Sequence, residues 1–154
     1  VQVGEDFSAN WDGLAFGGKG GRPGQFGTGH GITSTPDQQL AVSDRPHSEV
    51  DYFTPEGKLT GVLDLPKGSF PCDVAYDGGY MVVGCLHGPD RSKGAPIYVL
   101  KNGEIISTIM CKEELGLEKF THVHNATIRV VNDTIYVIAQ AWNPGDFVIL
   151  EQVK

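Results

Sequence analysis

The chain has 154 residues, 40% hydrophobic and 20% charged, the proportions of an ordinary folded domain with one core. A formal net charge of -7, with lysines and arginines scattered singly, offers no basic stripe for nucleic acid or anionic lipid. No apolar run approaches the roughly 20 residues of a membrane span, and three cysteines are too few and too odd in number for a disulfide framework.

Glycine is abundant at 21 and proline adds 9, while helical periodicity is nearly absent. Short strands punctuated by tight turns follow, and the expected fold class is all-β. Residues 1–28 read as a lead-in, in which Trp11 to Phe26 is a short strand running into a glycine-rich loop. Four strands come next, at Ile32 to Thr35, Gln39 to Ser43, Glu49 to Phe53 and Leu59 to Leu65, with Pro55-Glu56-Gly57 turning between the last two. The order repeats at Asp73 to Tyr76, Tyr80 to Cys85, Ile97 to Leu100 and Glu104 to Met110. Asp77-Gly78-Gly79 and Asn102-Gly103 supply hairpin turns there, and a polar loop from His87 to Ala95 interrupts the middle. Lys112 to Glu118 has the composition of a single helical turn. A third unit has three strands, Ala126 to Val131, Thr134 to Ala139 and Phe147 to Leu150. Tyr52, Phe53, Tyr76, Tyr98 and Phe147 fall at strand positions and are expected to pack between units.

The units begin alike. Gly29-His30-Gly31-Ile32, Pro71-Cys72-Asp73-Val74 and Val123-His124-Asn125-Ala126 each set a polar or thiol residue ahead of an apolar run, so His30, Cys72 and His124 are equivalent positions. Their spacings, 42 and 52 residues, fall in or near the period of a four-stranded propeller blade. The chain is therefore read as about three blades, residues 29–70, 71–120 and 121–154. A ring needs roughly four to eight blades, and an open three-blade arc leaves two apolar faces uncovered. A second half-propeller chain, or another copy of this one, is expected to complete the ring. Because the first residue is Val and not Met, a processed half or a fragment is the expectation.

The run GGKGGRPGQF, followed by GTGHGITSTPDQQLAVSDRPHSEVDYFTPEGKL, resembles the NHL-repeat pattern. It is similar to the later blades of the peptidyl-hydroxyglycine amidating lyases, six-bladed NHL-type propellers with zinc in the central channel. Gly24-Gln25-Phe26 precedes His30-Gly31, and the pair Asp44-Arg45 ends the second strand. As architecture the resemblance spans nearly the whole chain, and its sharpest motifs lie within residues 17–53. It implies a six-bladed ring and a divalent metal, zinc first and copper second, held by histidines that open the inner strands of alternate blades. His30 and His124 match two of those ligands, and Arg45 matches an arginine that would bind a substrate carboxylate in bidentate fashion. The family's third histidine and catalytic tyrosine fall in blades absent from this chain. Cys72 and an extra histidine, His122, depart from the pattern. An extracellular or periplasmic setting goes with this reading.

Imidazole nitrogen and thiolate sulfur are ordinary zinc or copper ligands, which makes His30, His124, His122 and Cys72 the candidate metal ligands. Full extension of His122-Val123-His124 would put both imidazoles on one side. Arg45 and His87 are the candidate catalytic residues, each following a second strand and so facing one rim. Trp142 belongs to a loop at that rim, and His47 reads as a solvated turn residue. Two functions fit. One is a metal-binding propeller with a central-channel site, of lyase type and acting on a small anionic or peptide-derived substrate. The other is a non-catalytic propeller that binds a protein or small ligand through Ser92 to Ala95 and Trp142.

Overall fold

The computed structural model describes residues 2–10 and 15–153. Strands β1 (Gln2–Val3) and β2 (Ala9–Asn10) pair with each other in a small separate sheet. Residues 11–14, where the lead-in strand was expected to begin, lie outside the described residues. The first large sheet holds β3 (Gly29–Ser34), β4 (Leu40–Asp44), β5 (Glu49–Phe53) and β6 (Leu59–Asp64). The second holds β7 (Pro71–Asp77), β8 (Tyr80–Cys85), β9 (Ile97–Lys101) and β10 (Glu104–Ile109). After the helical turn α1 (Cys111–Leu115), a third sheet holds β11 (Val123–Val131), β12 (Thr134–Ala141) and β13 (Asp146–Glu151). Each large sheet is an antiparallel meander in chain order. The fold is all-β and of propeller type.

Turn chemistry fixes this order. A two-residue hairpin with the twist of its flanking strands needs positive φ at both positions, and Gly78-Gly79, Asn102-Gly103 and Asn132-Asp133 all adopt it. The first two are legible as turns from glycine alone. The third has none and relies on the tolerance of Asn and Asp for the left-handed region. Helix α1 ends at Gly116 with φ 68, again left-handed.

Strands β8 and β9 of the middle sheet are buried on both faces, which explains their unbroken apolar runs. Met81, Val83, Cys85, Tyr98 and Leu100 pack with Ala41, Val50, Leu65 and Val74 of the first blade and inner strand. Their alternates Val82, Ile97 and Val99 pack with Val123, Ala126, Ile128, Val137 and Ala139 of the third. Each interface removes several large side chains from water at about 1.5–3 kcal/mol apiece, so the stack of three sheets is held by its two seams.

The outer faces differ. On the first sheet, Phe53 packs against Phe16 and Phe26 of the lead-in loop at 4.8 and 5.6 Å, not against another blade. On the third, the expectation for Phe147 fails. It is 71% exposed, with Ile149 beside it at 60%, because the alternation of β13 turns Val148 and Leu150 inward instead. Among the described residues no helix is long and apolar enough to cross a membrane.

Candidate functional site

All three inner strands carry a one-residue register shift at their starts. It falls between Gly29 and Ile32 in β3, between Pro71 and Asp73 in β7, and between Val123 and Asn125 in β11. His30, Cys72 and His124 sit inside these shifts. A bulge re-aims a side chain that strict alternation would place elsewhere, so one irregularity repeated three times sets the site's geometry.

His30 Nδ1 lies 2.8 Å from the Cys72 carbonyl oxygen. A carbonyl only accepts, so Nδ1 carries the proton and Nε2 keeps a free lone pair. This contact depends on Gly31, where any Cβ would collide with the Cys72 carbonyl. His124 meets His30 edge to face, with ring centroids 4.9 Å apart. Burial lowers the His124 pKa, and the charges of His30 and Arg45 push the same way, so the ring is neutral near pH 7. Asp73 is coupled to both imidazoles. Burial raises its pKa, opposed by backbone N–H groups of Val74 and Ala126 and by His30 and His124.

A row of rings continues from this pair. Trp142 stacks on His124 at 6.2 Å and reaches His122 at the same distance. His122 meets His87 at 4.8 Å, and His87 meets Phe70 at 5.9 Å under the guanidinium of Arg91. The two histidines of His122-Val123-His124 thus both meet Trp142, His122 edge-on and His124 stacked. Burial, then Arg91, His122 and Arg45, lowers the His87 pKa.

Arg45, just beyond β4, donates from Nη2 to Cys72 Sγ at 2.9 Å. Its Nε is buried with no partner, and among the described residues it makes no ion pair. Burial holds the Cys72 thiol pKa up although Arg45 draws it down, and Cys85 is raised well above the ordinary thiol by its own burial. It is the Cys72 carbonyl, not its sulfur, that joins the imidazole pair.

The structure therefore groups His30 with His124, His122 with His87, and Arg45 with Cys72. Two contributors were not singled out from sequence. Asp73 directly follows the equivalent position Cys72, a signal that could have found it. His47, expected to be solvated, has a side chain only 30% exposed and pairs through Nδ1 with Asp44 at 2.8 Å and Glu49 at 3.6 Å. Among the described residues Asp44, His47 and Glu49 form the group whose ligand atoms all lie within 4.8 Å of one another.

No family model matches the chain. Its fold is similar to that of virginiamycin B lyase from Staphylococcus aureus, with a TM-score of 0.52 at 14% identity, over 79% of this chain and 40% of that one. It is also similar to a protein of unknown function from Bacteroides caccae, with a TM-score of 0.50 at 18% identity, over 73% of this chain and 38% of that one. At such identities the likeness concerns the fold alone, and this chain spans well under half of each neighbour. A stretch of 74 residues is 32% identical to the tRNA-specific 2-thiouridylase MnmA of Caulobacter sp. (strain K31), covering 40% of this chain and 18% of that protein.

Proposed function

We propose that this chain is part of a metal-dependent propeller of NHL type, a lyase acting on a small anionic or peptide-derived substrate. The observation that carries the reading is the His30–His124 pair, 4.9 Å apart on two separate inner strands. The donor chemistry fits a zinc-type cation. His30 spends Nδ1 on a backbone carbonyl and keeps Nε2 free, the arrangement common to metal-bound histidines, and His124 is held neutral. Asp73 adds a carboxylate coupled to both rings. A divalent zinc ion held there would supply Lewis-acid polarisation of a substrate oxygen.

The chain's own residues have separable parts. His30 and His124 would hold the metal, and Asp73 balances its charge. Arg45 offers a cation without a carboxylate partner and a buried Nε without an acceptor, which suits a ligand carboxylate. His87, kept neutral by burial and by Arg91, is able to accept a proton near pH 7. Trp142 covers one side of His124. The resemblance to the amidating lyases and the fold shared with a protein named as a lyase favour this reaction class. The uncovered face of the third sheet favours a second half-propeller chain or another copy completing the ring, and an extracellular or periplasmic setting goes with the resemblance.

The test is metal content of the purified assembly together with its native mass. About one divalent metal per ring is expected to depend on the imidazole pair and to be lost in His30→Ala and His124→Ala. A metal-free assembly that still binds or turns over a ligand would sink the reading.

A second reading, a non-catalytic propeller, rests on Trp142, which is 51% exposed at the rim. It expects ligand binding to survive both histidine substitutions and to fall with Trp142→Ala.

A further inference from the structure

A separate cluster of ligating side chains caps the first blade at the β4–β5 turn. Asp44 and Glu49 face each other in register across the two strands, and His47 projects between them from the turn. The turn is rigidly placed. Ser48 sits at φ 61, its N–H donates to the Arg45 carbonyl, its carbonyl accepts from Leu65, and its Oγ accepts from Gly68. Asp44 is fully buried and pinned by the N–H groups of Gly27 and Thr28 at 2.8 and 2.9 Å. Carboxylate oxygens have about four acceptor sites, so these bonds leave lone pairs toward His47.

Bonds of about 2.0–2.1 Å to one cation hold ligand atoms roughly 3–3.4 Å apart. The distances from His47 Nδ1 to Asp44 Oδ2 and Glu49 Oε1, 2.8 and 3.6 Å, straddle that value. A proton on Nδ1 would account for these contacts alone. It does not account for Asp51, which is 0% exposed and has no partner for either carboxyl oxygen. Asp51 lies two residues beyond Glu49 on the same face of β5, and Glu49, Asp44 and His47 are the groups acting on its charge. Asp64 stands opposite Glu49 on the next strand. Asp44 and Glu49 thus flank one imidazole, with Asp51 and Asp64 adjoining Glu49, and among the described residues Asp44 and Glu49 make ion pairs only with His47. Buried orphan carboxyl groups of this kind call for an ion or water.

We propose that Asp44 Oδ2, His47 Nδ1 and Glu49 Oε1 bind a divalent, zinc-type cation, with Asp51 as the buried carboxylate behind it. The cation takes the place of the Nδ1 proton. It ties β4, β5 and, through Asp44, the Gly27–Thr28 loop to one centre, which makes it a structural clamp on the first blade. It is independent of the imidazole pair at the blade starts.

The test uses protein carrying His30→Ala and His124→Ala, stripped with a chelator and titrated with Zn2+ by calorimetry. One equivalent is expected to bind, with affinity falling at least tenfold on adding His47→Gln or Glu49→Gln. The background double substitution keeps a failure of the blade-start site from obscuring the result. Absence of Zn2+ uptake, or uptake unchanged by both substitutions, overturns the site. Should His47→Gln loosen the fold, nitrogen NMR of the His30→Ala, His124→Ala protein decides: the His47 Nδ1 resonance must move with the first equivalent of Zn2+, and an unmoved resonance rejects the proposal.

Discussion

Arg45 Nη2 donates to Cys72 Sγ at 2.9 Å, joining the end of the first blade's second strand to the start of the next blade's inner strand. The guanidinium thereby sits where it lowers the pKa of both His124 and His87. Arg45→Met should raise both pKa values, because a like charge that disfavours each imidazolium is removed. Proton NMR titration of the imidazoles checks this. Unmoved midpoints at both histidines would mean that the guanidinium is too well screened to matter. In Cys72→Ala the guanidinium loses its sulfur acceptor, and a stability loss of about 1–3 kcal/mol is expected, read as a lower midpoint in urea.

Gly31 permits β3 to approach β7 closely enough for His30 to reach the Cys72 carbonyl. Gly31→Ala adds a single methyl group, and the collision with that carbonyl must push the strands apart. Overpacking of this kind costs about 1–3 kcal/mol. The same shift frees His30 Nδ1 and disorders the ring, so metal uptake at His30 and His124 should fall with stability. Full metal uptake in a stable Gly31→Ala protein would show that the carbonyl tether is dispensable.

Asp51 gives a pH dependence with a definite sign. Burial, reinforced by Glu49 and Asp44 and opposed by His47, raises its pKa to about 6 from 3.8. The folded state therefore binds this proton more tightly than the unfolded chain does. The stabilisation is complete below the unfolded value and is lost as pH rises through about 6. A shift of this size corresponds to a loss on the order of 3 kcal/mol. Chelator-treated wild-type and Asp51→Asn proteins should be compared by urea unfolding at pH 4 and pH 7.5. The variant gains relative to wild type at the higher pH. A gap that is the same at both values would place the Asp51 carboxyl in a wetter environment than the sheet provides.

The legible part of the fold was that governed by local chemistry. Glu49 to Phe53 and Tyr80 to Cys85 are strands at their expected limits, since turn residues bracket apolar runs there. The strands β7 and β11 begin two and three residues earlier than expected, at Pro71 and Val123, inside segments whose pairing depends on the bulge, whereas β6 and β10 each end one residue short, at Asp64 and Ile109. The proximity of His30 and His124 was legible from the repeat, because equivalent positions at the starts of the inner strands converge even from blades that are not adjacent. The placement of Cys72 was only half legible. The repeat locates its backbone, but the direction of its sulfur depends on Arg45, a long-range contact. His47 looked solvated because a turn position says nothing about carboxylates on both flanking strands. Their spacing, Asp44-x-x-His47-x-Glu49, held the signal once the hairpin pairing was known.

Phe147 and Ile149 bear on assembly. They project from β13 opposite Gln140 and Ile138 as an exposed apolar strip at the edge of the third sheet. The corresponding seams inside the chain are filled by such residues, so this face has the composition of a seam without a covering sheet. If another blade covers it in solution, Phe147→Ser with Ile149→Thr should shift the assembly toward the mass of a single chain. Melting of the two internal seams should change little, because neither side chain belongs to their cores. Native mass spectrometry over a range of protein concentrations measures the shift. A wild-type protein that stays at single-chain mass throughout, and a variant indistinguishable from it, would mean that the strip stays wet.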